Sequence, residues 1–188
     1  VMQTSRRNAV RSALSGAAAR STVRRHLAQR RFLDDVAKQT KILKLQGSLF
    51  FGTINSVESL VRKMLELHEW HKNPISFLVM DFGLVQSLDF SAMEAMLRIR
   101  RMLMTRDVHL VFCGLSLNGD VAISLQKADL WTDEANGLDV FATLNEALEW
   151  TENEYIRGLY MFNLSMAAGA SRPSNIAGQS TFRFNYTK

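Results

Sequence analysis

One cysteine, Cys113, stands in 188 residues. No internal disulfide is possible, and this usage fits a reducing compartment. No apolar run reaches membrane-spanning length, which excludes a helical bilayer span within this stretch. No secretory h-region follows the opening Val1, and the chain reads as cut from a longer protein. There is no internal repeat. Acidic residues are missing from the first 33 positions, where Arg6, Arg7, Arg11, Arg20, Arg24, Arg25, Arg30 and Arg31 crowd together. The formal net charge of +5 belongs to this segment, and the remainder is mildly acidic.

What is present suffices for one α/β domain with a real core, at 47% hydrophobic content. Residues 1–37 read as a basic linker or arm, largely disordered, because Arg, Ser and Ala give no sustained apolar stripe. Residues 38–158 read as the domain. Residues 159–188 read as a tail, partly disordered, polar from Ser171 onward.

Within the domain, strand and helix patterns alternate. Lys41 to Gln46 reads as a strand stopped by Gly47. Asn55 with Glu58 forms a capping-box pattern, and Val57, Leu60, Val61, Met64 and Leu65 follow at helical spacing. Asn73–Pro74 ends that helix. Ile75 to Met80 is an apolar run of the kind found in strands buried on both faces. Ser91 with Glu94 repeats the capping-box pattern, and Ala92, Met96, Ile99 and Leu103 make one stripe. Val108 to Cys113 is a further strand closed by Gly114. A helix from Asn118 to Lys127, a strand from Asp139 to Ala142, and a last helix from Thr143 and Glu146 to Tyr155 complete the series. Such alternation predicts an α/β fold, a mainly parallel sheet with helices packed on it.

Two stretches carry a family resemblance. Val79 to Glu94 runs as a buried strand ending in Asp81, a loop containing Val85, then Asp89, Phe90, Ser91 and Ala92 opening a helix. This resembles the central signature of STAS domains, found in bacterial anti-sigma-factor antagonists and at the C-terminus of SulP-type transporters. Leu45 to Ile54, with Gly47 and paired Phe50 and Phe51, resembles the opening of the transporter branch. The lead-in from Arg20 to Asp35 is similar to the basic linker of fungal vacuolar SulP-like proteins. Bacterial antagonists carry a phosphorylated serine where this chain has Ser91, but Phe90 and Ala92 depart from their pattern.

The resemblance implies a STAS-type sheet and a regulatory, non-enzymatic module. Its partners are then the transmembrane domain of the same transporter and a second protomer or regulatory protein. The implied place is the cytosolic face of a membrane, vacuolar by the fungal likeness. The alternative is a free-standing switch phosphorylated at Ser91.

The residues set the sharper readings beside plainer ones. Asp81, Val85, Asp89 and Ser91 form the candidate interaction loop. Ser91 also fits a simple helix cap. Asp81 and Asp89 lack an accompanying nucleophile, Gly-rich phosphate loop or metal cluster, so shaping the loop fits them better than catalysis. His68 and His71 lack a third ligand, which argues against a metal. No cofactor is implied. The arginine segment fits a transit peptide, a nucleic-acid arm without aromatic support, or a juxtamembrane segment. The resemblance favours the last, with Arg24, Arg25, Arg30 and Arg31 meeting anionic lipid and no nucleic acid involved.

Overall fold

The computed structural model describes residues 8–116, 118–131 and 137–167. The described residues form a five-stranded sheet in the order β1-β2-β3-β4-β5. The strands are β1 (Val10–Ser15), β2 (Thr40–Leu49), β3 (Phe77–Leu88), β4 (His109–Cys113) and β5 (Leu138–Val140). β1 runs antiparallel to β2, and every later pairing is parallel. The helices are α1 (Leu27–Val36), α2 (Phe51–Met64), α3 (Leu67–Lys72), α4 (Phe90–Met104), α5 (Asp120–Lys127) and α6 (Leu144–Ala167).

Side chains alternate across a strand, so each strand feeds two cores. Leu43, Leu45, Met80, Phe82, Leu110 and Phe112 point to one face, where α2 and α4 bury Ile54, Val57, Val61, Met96 and Ile99. Ile42, Phe77, Val79, Val111 and Cys113 point to the other face. There α1 and α6 bury Leu33, Val36, Leu148 and Tyr155. Burial of each large side chain contributes about 1.5–3 kcal/mol. Both faces are covered, which is why the middle strands read as continuous apolar runs.

The basic segment departs from its expectation. β1 and α1 both lie in it, and β1 adds an edge strand to β2. β1 is half-exposed and rich in Ser and Ala, and α1 buries only Leu33 and Val36. Neither gives a strong apolar period. The tail after residue 167 lies outside the described residues, but α6 itself runs twelve residues past Tyr155.

Strand and helix ends shift as well. β2 does not stop at Gly47. That residue takes φ +73° and the strand resumes, pairing Ser48 with Ser87 and Leu49 with Leu88. β3 therefore continues through the stretch expected to be a loop. α2 starts at Phe51 rather than at Asn55, because the Phe50 N–H donates to Thr53 Oγ1 at 3.0 Å. Glu58 takes no part in a cap. It accepts from Arg62 at 3.1 Å and from Arg98 at 3.0 Å, tying α2 to α4. The hydrogen bond from Arg98, against some burial, holds its carboxyl below the usual range. The Thr143 and Glu146 box forms as expected, with the Glu146 N–H donating to Thr143 Oγ1 at 3.2 Å.

Candidate functional site

Two adjacent parallel strands end together at the carboxyl edge of the sheet, and each hands over at once to a helix. β2 ends at Leu49 and α2 begins at Phe51. β3 ends at Leu88 and α4 begins at Phe90. The Asp89 N–H donates to Leu49 O at 3.1 Å, so the two junctions touch.

Asp89, not Ser91, caps α4. Its Oδ1 accepts the Ala92 N–H at 2.7 Å, satisfying one amide that the helix leaves open. Ser91 is the second residue of α4, within its first turn, and half-buried. A phosphate on Ser91 would meet the Asp89 carboxylate at the amide end of the helix.

The sequence-predicted site residues divide. Asp89 and Ser91 share the junction. Val85 lies on β3 opposite Gly47 and packs, half-buried, against the core. Asp81 is not with them. It sits on β3 opposite Lys44, about 20 Å away along an extended strand. Its Oδ1 accepts the Gly83 N–H at 2.9 Å, a local bond that shapes the strand. Burial, and secondarily the Asp81 charge, push the Cys113 thiol far up, so it stays protonated.

Three aromatic side chains were missed as surface. Phe50 is exposed, as are Phe51 at 67% and Phe90 at 70%, with exposed Leu84 on β3. The signal was available. The inward faces of the two helices begin at Ile54 and Ala92, so the phenylalanines before them have no core to enter. The chain also arrives at this edge. Asn8 O accepts Gln46 Nε2 at 3.0 Å, and Asn8 Oδ1 accepts the Ser56 hydroxyl at 3.3 Å.

The expected lipid-facing arginines also divide. Arg24, Arg30 and Arg31 are exposed. Arg25 is not, because Glu152 on α6 draws it inward at 3.2 Å, leaving both side chains 13% exposed. A buried pair lies at the opposite edge: His109 Nε2 stands 2.6 Å from Asp139 Oδ2, with Trp150 against the imidazole. Nearby Glu154 bonds Arg157 at 2.6 Å. Burial raises its carboxyl above the ordinary range despite that cation. His68 and His71 make local bonds on α3, to Lys72 and to Leu67 O. No helix among the described residues is long and apolar enough to cross a membrane.

Comparison with known proteins agrees with this architecture. The STAS domain family matches residues 29–147. The vacuolar basic amino acid transporter VSB1 of Saccharomyces cerevisiae is 36% identical over 146 residues, covering 76% of this chain and 14% of that protein. The anti-sigma factor antagonist SpoIIAA in its unphosphorylated form superposes with a TM-score of 0.50 at 16% identity, over 63% of this chain and 92% of that one. A sulfate transporter family protein from Wolinella succinogenes gives a TM-score of 0.49 at 19% identity, over 63% and 88%. The SpoIIAA likeness is one of fold, and the family match covers more than half of the sequence, so the chain belongs to the STAS domain family.

Proposed function

We propose that this chain is the regulatory STAS module of a SulP-type membrane transporter, held at the cytosolic face of its membrane. Its work is protein contact rather than catalysis. The observation that carries the reading is the carboxyl edge, where exposed Phe50, Phe51 and Phe90 stand at the two strand–helix junctions joined by the Asp89–Leu49 bond, beside the incoming chain at Asn8. Large apolar side chains exposed together at one edge are the pattern expected of an interaction site. Kinship with a vacuolar transporter supports a membrane part as the partner. On this reading the membrane helices precede the domain, and the chain enters it at Asn8, beside this edge. The edge therefore faces the membrane part, and a vacuolar membrane is the proposed place.

A regulatory module biases conformations only if it contacts them unequally. The test is the double substitution Phe51→Ser with Phe90→Ser in the full-length transporter, beside Asp89→Asn with Ser91→Asp. The expected result is altered transport or assembly with the domain still folded by circular dichroism. Unchanged transport and unchanged assembly in both variants would sink the proposal.

A further inference from the structure

The segment between β1 and α1, residues 16–26, is a strap laid along α6. It starts at the amino edge of the sheet, where the Gly16 N–H donates to Thr40 O at 2.9 Å. Ala19 packs against the core, and the contacts that hold the strap to α6 are polar. Glu152 is the centre of it. Its Oε1 accepts the Ser21 N–H at 3.0 Å, and its Oε2 accepts the Ser21 hydroxyl at 2.6 Å and Arg25 Nε at 3.3 Å. On either side, Asn145 Oδ1 accepts the Thr22 N–H at 2.9 Å and Asn153 Oδ1 accepts Arg25 Nη1 at 2.6 Å. Arg20 is also paired, at the surface, with Asp34 of α1. Segments held by partly exposed hydrogen bonds and little apolar burial open at low free energy.

We propose that this strap is a releasable latch, in which Glu152 holds Arg25 against α6 until an anionic lipid surface competes for the guanidinium. The idea rests on the reading that the domain lies at a membrane. A guanidinium fits a carboxylate and a phosphate with the same fork geometry, so the exchange needs no new chemistry. Arg24 is exposed and keeps the strap attracted to such a surface while Arg25 is still latched. Exposed Arg30 and Arg31 follow within the first turns of α1. The acids of α1 and α6 thus mask part of the basic segment, and release unmasks it. Each arginine delivered to an anionic surface adds roughly fivefold to binding.

The experiment uses the 188-residue chain with vesicles of phosphatidylcholine containing phosphatidylserine, and pure phosphatidylcholine vesicles as reference. Amide exchange is read over the strap and bound fraction by flotation. Anionic vesicles should speed exchange at residues 17–26, and pure phosphatidylcholine should not. Glu152→Gln should bind anionic vesicles roughly fivefold better than the natural chain. Arg25→Gln should loosen the strap equally with no gain in binding. Equal binding by Glu152→Gln and the natural chain overturns the latch. Equal gains by both variants overturn the charge exchange, because loosening alone then suffices. Inorganic phosphate that loosens the strap as strongly as vesicles overturns the lipid source. Circular dichroism and the urea midpoint of each variant report whether it has folded. Phe51→Ser with Phe90→Ser leaves Glu152 untouched, so failure of the transporter reading and failure of the latch are separable.

Discussion

Gly114 and Gly47 form a matched pair that isolates one close contact. Gly114 follows β4 at φ +74°, and Gly47 interrupts β2 at φ +73°. Alanine at either site pays the same left-handed strain, about 1–2 kcal/mol. Their surroundings differ. A Cβ on Gly47 meets nothing within 4 Å. A Cβ on Gly114 comes within 2.5 Å of Asp81 Oδ1 and 2.6 Å of the Gly83 nitrogen. The second of these is backbone of β3 and has no rotamer by which to retreat. Overpacking of this kind costs about 1–3 kcal/mol more. Gly47→Ala should therefore lose about 1–2 kcal/mol, and Gly114→Ala about 2–5 kcal/mol. Urea unfolding at equal slope measures both, because a changed slope would signal a changed denatured state. Equal losses at the two sites refute the reasoning, since the clash is what distinguishes them.

Asp89→Ala should cost about 1 kcal/mol of stability while Ser91→Ala stays within about half of that, because the cap bond belongs to Asp89. Chemical denaturation of the two variants decides it, and the reverse order restores Ser91 as the cap. Asp139→Ala removes a carboxylate from buried His109 and should cost about 1–3 kcal/mol, read as a lower urea midpoint. The raised carboxyl of Glu154 makes the folded state bind a proton more readily than the unfolded chain. Its contribution is thus most favourable at low pH and is lost as pH rises from the ordinary carboxylate range through the folded value. Glu154→Gln should remove that slope, so the variant gains on the natural chain as pH rises. A difference between them that is flat from acid to neutral pH overturns this assignment.

The sequence disclosed those elements whose side chains meet the core on a regular period. The runs Ile75 to Met80 and Val108 to Cys113 overlap the starts of β3 and β4, and the stripe from Ala92 to Leu103 lies in α4, because burial on both faces writes itself as apolar runs and 3.6-residue spacing. Capping patterns were less dependable. Ser91 with Glu94 and Thr143 with Glu146 have the same residue spacing, yet only the second forms a box. The difference is what precedes them. Asp89 supplies a shorter carboxylate two residues earlier and starts α4 there, whereas nothing acidic precedes Thr143 nearer than Asp139. β1 and α1 were invisible because their stability comes from partners far along the chain. β1 leans on β2 through backbone hydrogen bonds, and the approach to α1 leans on Glu152 of α6 across 127 residues.

That long-range dependence changes how the basic segment should be understood. Eight arginines without an acid look like a disordered polycation when read locally. In the fold, acids later in the sequence answer two of them, Asp34 for Arg20 and Glu152 for Arg25, while Arg24, Arg30 and Arg31 stay exposed. β1 then acquires a specific mechanical place. It starts next to Asn8 at the edge bearing Phe50, Phe51 and Phe90, and it ends at Gly16, where the strap begins. Backbone pairing with β2, interrupted by one register shift between Val10 and Ser12, lays it along the sheet between the two. One paired strand, rather than an unpaired linker, thus separates the aromatic edge from the proposed Glu152 latch.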